Sequence, residues 1–302
     1  ATPFRLGHGY IDEAGALFHD RIEPVTIEEL IFKGHLCTLR SKKTDTKLSV
    51  AGVHKRGGEY IESELQRAVD TDDNNTLVVE EVIARGRDCN HWLLFCAGVD
   101  HAEHIAATLQ GSGIGAACVT GKTPMAQRTE ILKRFKAGDI QAVTNANVLT
   151  TGFDFPDLDL IAMLRPTLSP ALYVQMAGRG LRPKTHTDSC LVLDFAGNVE
   201  THGPITRVRP PSKSGGGGEA PIKVCDACHE IVHISVMICP ECGYEWPPSE
   251  EPYERLRLRD DDIMGADSEL QMPVRSWSWS EYTSRAGNNM LKATYFGRLS
   301  DK

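Results

Sequence analysis

The 302-residue chain predicts an α/β fold: a parallel sheet with helices on both faces, then a small zinc ribbon and a truncated β segment. Three observations point there. From His91 to Ala196 short apolar runs alternate with amphipathic stretches, the strand and helix repetition of a covered parallel sheet. Cys225, Cys228, Cys239 and Cys242 repeat a two-residue spacing on either side of a ten-residue gap. Near the end, VRSWSWSEYTS and MLKATYFGR flank AGNN as the arms of a hairpin would.

The elements follow in chain order. Thr26 to Lys33 reads as a short helix capped by Thr26 and Glu29, and Tyr60 to Gly86 as two helices broken near TDDNN. HWLLFCA, AACVT, IQAVTNA, LDLIAML and CLVLDFA are the strand runs; DHAEHIAATL, PMAQRTEILKRFKAG and SPALYVQMAGRG are the helical ones. Asp100 with Glu103 fits a capping box, while Thr123-Pro124 and Ser169-Pro170 each set a cap before a proline at the first helical position. Four successive glycines among prolines in GPITRVRPPSKSGGGGEAP mark a mobile connector.

The expected divisions are therefore 1–25, an entry segment; 26–202, the α/β domain; 203–222, the connector; 223–248, the ribbon; 249–273, an acidic linker; and 274–302, the start of an aromatic β-domain. The first residues lack a preceding element and the last aromatics lack a partner surface, so a fragment at both ends is expected.

Composition narrows the function. With 33 Lys+Arg against 41 Asp+Glu the formal charge is −8, so no global positive field recruits nucleic acid and any polyanion site must be a local patch. No apolar run reaches the roughly 18 residues of a membrane span, and ATPFRLGHGY has no signal-peptide core, so a cytoplasmic protein with no membrane partner is expected. Nine cysteines, five of them scattered, suit one metal site plus core thiols better than a disulfide framework.

Two knuckles of the spacing Cys225–Cys228 and Cys239–Cys242 can offer four thiolates tetrahedrally to Zn2+. Cys242-Gly243 suits the tight turn that lets amides approach sulfur. His229 and His233 could compete as ligands, but four cysteines close the site and leave no position for a catalytic water, so the zinc is structural. A nucleic-acid role for the ribbon would rest on Lys223 and His229; a folding staple is the equal alternative.

AACVTGKT, Ala116 to Thr123, fits a permissive phosphate-binding P-loop, with LVLD ending at Asp194 posing as a magnesium-side strand. The mechanism objects. A phosphate cradle needs a glycine-rich loop with inward amides, whereas Ala116 to Val119 read as strand interior and Pro124 as a helix start. Lys122 is then a surface residue or a contact to a phosphate backbone.

The informative stretch runs from Thr144 to Gly197. TTGFD sets Thr150, Thr151, Gly152 and Asp154 on the loop after the strand QAVTNA, at the carboxyl edge of a parallel sheet where ligands bind. Hydroxyls and amides suit phosphates, and a carboxylate suits a ribose hydroxyl or an arginine. QMAGRGLR places Gln175, Gly178, Arg179 and Arg182 at the far end of a helix, the two arginines three apart and facing one side. Two guanidiniums there can stabilise charge developing on a transferred phosphoryl group.

These segments resemble superfamily 2 helicases of the DEAD/DEAH type: TTGFDFP is similar to motif V, QMAGRGLR to motif VI, HWLLFCAGVDHAEHI to the motif IV region, and ATPFR to the tail of motif III without its serine. From Ala1 to about Asn198, with the four-cysteine module after it, the chain is similar to bacterial RadD-type helicases and their phage relatives. The resemblance implies a RecA-like lobe, the second of two that close on ATP with Mg2+. It implies that Gly152, Asp154 and Gly178 line the nucleotide, that Gln175 senses its phosphates and that Arg179 and Arg182 are arginine fingers. It further implies that Thr150, Thr151 and amides at Ala97 and Gly98 touch a single- or double-stranded DNA backbone, with salt-dependent, sequence-neutral binding.

The departure from the pattern matters as much. A phosphate-cradling loop and an acidic box for magnesium belong to the first lobe and have no match in these residues, so half an ATP site is expected, inactive alone. The partner would be a first RecA-like lobe in the same or a separate chain, alongside DNA-repair or replication proteins. The competing reading is a zinc-ribbon nucleic-acid-binding adaptor that does not hydrolyse ATP. In the last segment Trp277, Trp279, Tyr282, Arg285, Lys292, Tyr295 and Phe296 suit either a base-stacking sheet or, preferentially, one buried face.

Overall fold

The computed structural model describes residues 4–5, 9–10, 25–150, 152–208, 221–247, 274–283 and 289–297, the first two pairs and most of the last two stretches by backbone alone. One compact unit spans Ala1–Trp246 and a second Pro247–Lys302. In the first, β1 (Phe4–Arg5) and β2 (Gly9–Tyr10) pair antiparallel, followed by α1 (Ile27–Phe32), β3 (Thr38–Lys42), a small hairpin of β4 (Lys55–Arg56) and β5 (Glu59–Tyr60), α2 (Glu62–Val69) and α3 (Asp72–Arg85). The α/β core continues as β6 (Trp92–Cys96), α4 (Val99–Gly111), β7 (Ala116–Val119), α5 (Met125–Ala137), β8 (Ala142–Asn145), β9 (Leu160–Leu164), α6 (Pro170–Ala177), a 3-10 turn (Gly178–Leu181), β10 (Ser189–Asp194) and α7 (Asn198–His202). The ribbon contributes β11 (Ile222–Val224) and β12 (Ile231–His233).

Six strands form one parallel sheet in the order β3-β10-β9-β6-β8-β7. Strand alternation sorts the core into two layers. Trp92, Leu94 and Cys96 of β6 pack under Val78, Val82, Ile105 and Leu109 of α3 and α4, while Leu93 and Phe95 face Phe135, Tyr173 and Met176 of α5 and α6. This is the sheet with helices on both faces that the sequence predicts.

Cap residues refine the boundaries. Thr26 and Glu29 form the expected reciprocal capping box, and Ser169 accepts from the Leu172 amide with Pro170 at the first helical position. Two caps shift. Helix α4 starts at Val99 on Gly98, so Asp100 lies inside the first turn and accepts from Gln66 Nε2 at 2.8 Å instead of capping. Pro124 is itself the residue before α5; Thr123 Oγ1 accepts from the Thr120 amide at 2.9 Å, closing the turn that precedes it.

The ribbon lies in the same compact unit as the sheet, packed against the free side of β3. Lys42 bridges Glu230, the Lys43 amide donates to the His229 carbonyl at 3.1 Å, the Ser41 amide donates to Glu230 Oε1 at 2.7 Å, and Arg40 pairs with Glu241 at 2.9 Å. An open sheet edge is thereby covered. Residues 209–220 of the expected connector and the whole acidic linker at 249–273 lie outside the described residues.

In the second unit β13 (Val274–Thr283) and β14 (Asn289–Gly297) pair antiparallel as the expected hairpin. The side chains of Trp277, Trp279, Tyr282, Lys292, Tyr295 and Phe296, and the whole of Arg285, lie outside the described residues.

Candidate functional site

The carboxyl ends of the central strands β9, β6 and β8 bring three loops to one sheet edge: Ala97-Gly98, residues 146–157 and Arg165 to Ser169. The middle loop is tied down first by its own asparagines. Asn145, fully buried, donates to the Leu94 carbonyl at 3.0 Å and accepts from the Leu149 amide at 3.3 Å. Asn147 takes φ 60°, a left-handed value asparagine tolerates, and its side chain bonds Glu62 and Arg165. Gly152 turns the chain at φ 73° with open space around it.

The arginines meet this loop from the 3-10 turn. Helix α6 ends at Ala177, so Arg179 lies in the turn and Arg182 just beyond it in extended backbone, not on the helix itself. Arg179 donates through Nε to the Thr150 carbonyl at 3.1 Å, through Nη2 to the same oxygen and through Nη1 to the Phe153 carbonyl. Burial, and then the charge of Arg182, push its pKa below the ordinary value, so its cation is held where charge is unfavourable. Arg182 pairs with Asp154 at 3.2 Å, with side chains 53% and 64% exposed. Both arginines therefore converge on residues 150–154, one as a half-buried clamp and one at the surface. Gln175 is half-buried on α6, and Gly178 starts the turn with open space beside it.

The expected backbone-contact residues are less open. Thr150 is buried and its hydroxyl donates to the Asn147 carbonyl at 3.3 Å; Thr151 lies outside the described residues. Ala97 is buried, and its amide donates to Nδ1 of His101 at 3.2 Å. Burial lowers the His101 pKa to about 4, which keeps the ring neutral and able to accept. The side chain of Gln66 lies directly over the Gly98 Cα. The Ala97 amide is thus already spent and Gly98 is covered in this conformation. Sequence reasoning missed Glu59, Glu62, Asn147 and Arg165 at this edge. Glu59 binds the Thr167 hydroxyl and the Leu168 amide, a contact across more than a hundred residues that no local pattern signals.

The P-loop alternative finds no support. Ala116–Val119 is strand β7, and the Thr120–Thr123 turn is closed on itself by three hydrogen bonds. Asp194 is buried and accepts from the Val199 amide at 2.6 Å and the Ala196 amide at 3.2 Å, which makes it the anchor of α7 and not a magnesium ligand. Burial pushes its pKa up to about 6.

The four ribbon sulfurs lie within 4.8 Å of one another, with Cys225–Cys242 at 3.6 Å and Cys228–Cys239 at 3.7 Å. A tetrahedron with metal–sulfur bonds of about 2.3 Å has edges of about 3.8 Å, so the set fits a structural Zn2+. His229 and His233 are not part of the cluster; the His233 ring bonds the Ser235 hydroxyl. The knuckles repeat in detail: the amides of His229 and Gly243 donate to the Cys225 and Cys239 carbonyls, each at 2.9 Å, from φ values of 60° and 74°. Glycine takes that conformation without steric cost, whereas the Cβ of histidine carries one. His229→Gly is therefore expected to stabilise the metal-loaded ribbon by about 0.5–1 kcal/mol, read as a later chelator-competition midpoint. An earlier midpoint would contradict it. Lys223 stacks its ammonium 3.8 Å from the Trp246 ring centroid and is already engaged within the ribbon.

Residues 74–184 match the family described as the helicase conserved C-terminal domain. A 51.5 kDa protein of a Lactococcus phage is 26% identical over 324 aligned residues, covering 100% of this chain and 70% of the phage protein. The putative ATP-dependent helicase IRC3 of Saccharomyces cerevisiae is 27% identical over 57% of this chain, a match that spans only 25% of the yeast protein. Among solved structures, a fragment of a putative HsdR subunit of a type I restriction enzyme from Vibrio vulnificus shares 16% identity at a TM-score of 0.44, covering 62% of this chain and 37% of that one. The helicase-domain match runs from α3 to just past the 3-10 turn, so this part of the chain is similar to the C-terminal domain of helicases, as it is to a relative named as an ATP-dependent helicase.

Proposed function

We propose that this lobe completes the ATP site of a DNA helicase or translocase acting in DNA repair or phage replication, with a first RecA-like lobe supplying the phosphate loop and most of the magnesium ligands. The observation that carries this reading is the convergence of Arg179 and Arg182 on the 150–154 loop. Arg182 is the exposed finger, free to exchange Asp154 for a γ-phosphate when the lobes close; Arg179 holds the loop that carries Gly152 and Asp154. Gln175 reads the phosphates from α6, and Gly178 lets the nucleotide approach. Thr150, Thr151 and Gly98 serve the DNA backbone once Gln66 withdraws, and the ribbon's zinc is structural.

The test is single-strand-stimulated ATP hydrolysis by the 302-residue chain, checked for fold and metal content. The expected result is no turnover alone, and no change on Lys122→Ala, because the Lys122 turn is closed by its own hydrogen bonds. Robust turnover lost with Lys122 would overturn the half-site reading. A folded chain that binds single strands with a steep salt dependence, yet stays silent when joined to a first lobe, would favour the adaptor instead.

A further inference from the structure

Behind the motif VI helix lies a cavity of about 190 Å³ that the proposed function does not use. Its walls are mostly apolar, with Leu39 of β3, Val192 of β10, Tyr173 of α6, Leu181 of the 3-10 turn and Ile231 of the ribbon. Four polar side chains also line it, Thr38, Ser41, Thr206 and Glu230. Glu230 is only 6% exposed. Its Oε1 accepts from the Ser41 amide at 2.7 Å, while its Oε2 and the Ser41 hydroxyl have no hydrogen-bond partner among the described residues.

That combination is unusual for a structural contact. One acceptor oxygen is enough to dock the ribbon on β3, and a neutral amide would supply it. A second, bare carboxylate oxygen in an apolar wall costs free energy unless something donates to it. The void beside it exceeds the roughly 150 Å³ that admits a benzene-sized molecule. We propose that the cavity is a binding site for a small organic amine, with a ring-sized apolar body against Leu39, Val192 and Tyr173 and an N–H head shared by Glu230 Oε2 and the Ser41 hydroxyl. The inference is independent of the helicase reading, although α6 and the 3-10 turn, which form part of the wall, also carry Gln175 and Arg179.

Benzylamine is the probe and toluene its shape control, titrated into the metal-loaded chain at constant pH with amide chemical shifts as the readout. The expected result is saturable shifts confined to Ser41, Leu181 and Ile231, with toluene at least about tenfold weaker, the worth of one charge-assisted hydrogen bond. Glu230→Gln keeps the acceptor for the Ser41 amide and is expected to bind benzylamine about tenfold more weakly at unchanged metal stoichiometry. Val192→Phe, which fills the void, is expected to abolish binding of both probes. The proposal is overturned by the absence of saturable shifts, by equal affinity for toluene, or by a Glu230→Gln variant that binds benzylamine as the parent does.

Discussion

Replacing Arg182 with alanine in the complete two-lobed enzyme is expected to lower kcat for DNA-stimulated ATP hydrolysis by about 10³-fold, the scale of a lost arginine finger. Thermal stability should hardly move. The pair with Asp154 is between two exposed side chains, 53% and 64% accessible, and such surface pairs contribute about 0–1 kcal/mol. Arg179→Ala should behave differently. It removes three donors from the Thr150 and Phe153 carbonyls, so DNA affinity and local order at residues 150–154 should fall together with the rate. Arg179→Lys should not rescue it, because one ammonium cannot span two carbonyls as the planar guanidinium fork does. Steady-state kinetics with DNA-binding titrations on the three variants separate the roles. An Arg182→Ala enzyme within a few-fold of the parent would remove Arg182 from the finger position.

The reach of the sequence follows the range of the interactions. The strands β6 to β10 were legible because each is an apolar run between turn residues, and the four cysteines because their spacing alone builds a tetrahedral set. Strand β3 was not. TLRSK is half-buried, pairs with β10 on one side and the ribbon on the other, and so has no apolar alternation to show. The hairpin β4-β5 hides for a related reason, since two-residue strands carry no period. In the candidate site the residue types were readable, but their tasks were not. That Arg179 clamps a loop 29 residues upstream while Arg182 stays exposed is a property of the 3-10 turn, which bends the chain off the helix after Ala177. Gln66 over Gly98 likewise joins two segments that only the folded sheet brings together.

Stripping the metal is expected to unfold the ribbon and leave the sheet intact. Among the described residues from 221 to 247, only Cys225, Glu230, Val232 and Cys239 are buried, so a single aliphatic side chain stands where a core would be. A module of that size cannot offset its chain entropy by apolar burial, and metal binding on the order of 10–16 kcal/mol supplies the difference. The consequence should reach β3. Without the ribbon the Ser41 amide loses Glu230 and the Lys43 amide loses the His229 carbonyl, leaving β3 bonded through β10 alone. The 3-10 turn stands next in line, since the Cys37 amide donates to the Leu181 carbonyl at 2.9 Å and Gly180 packs on Leu39 and Cys190. Hydrogen exchange on the chelated chain should therefore show full loss of protection at Ser41 and Lys43, partial loss at Cys37, and none in β6, β8 and β9, whose residues are buried throughout. Cys239→Ser should reproduce the pattern without chelator. A metal-free ribbon whose amides stay protected would show that the four thiols pack without an ion and that β3 owes nothing to it.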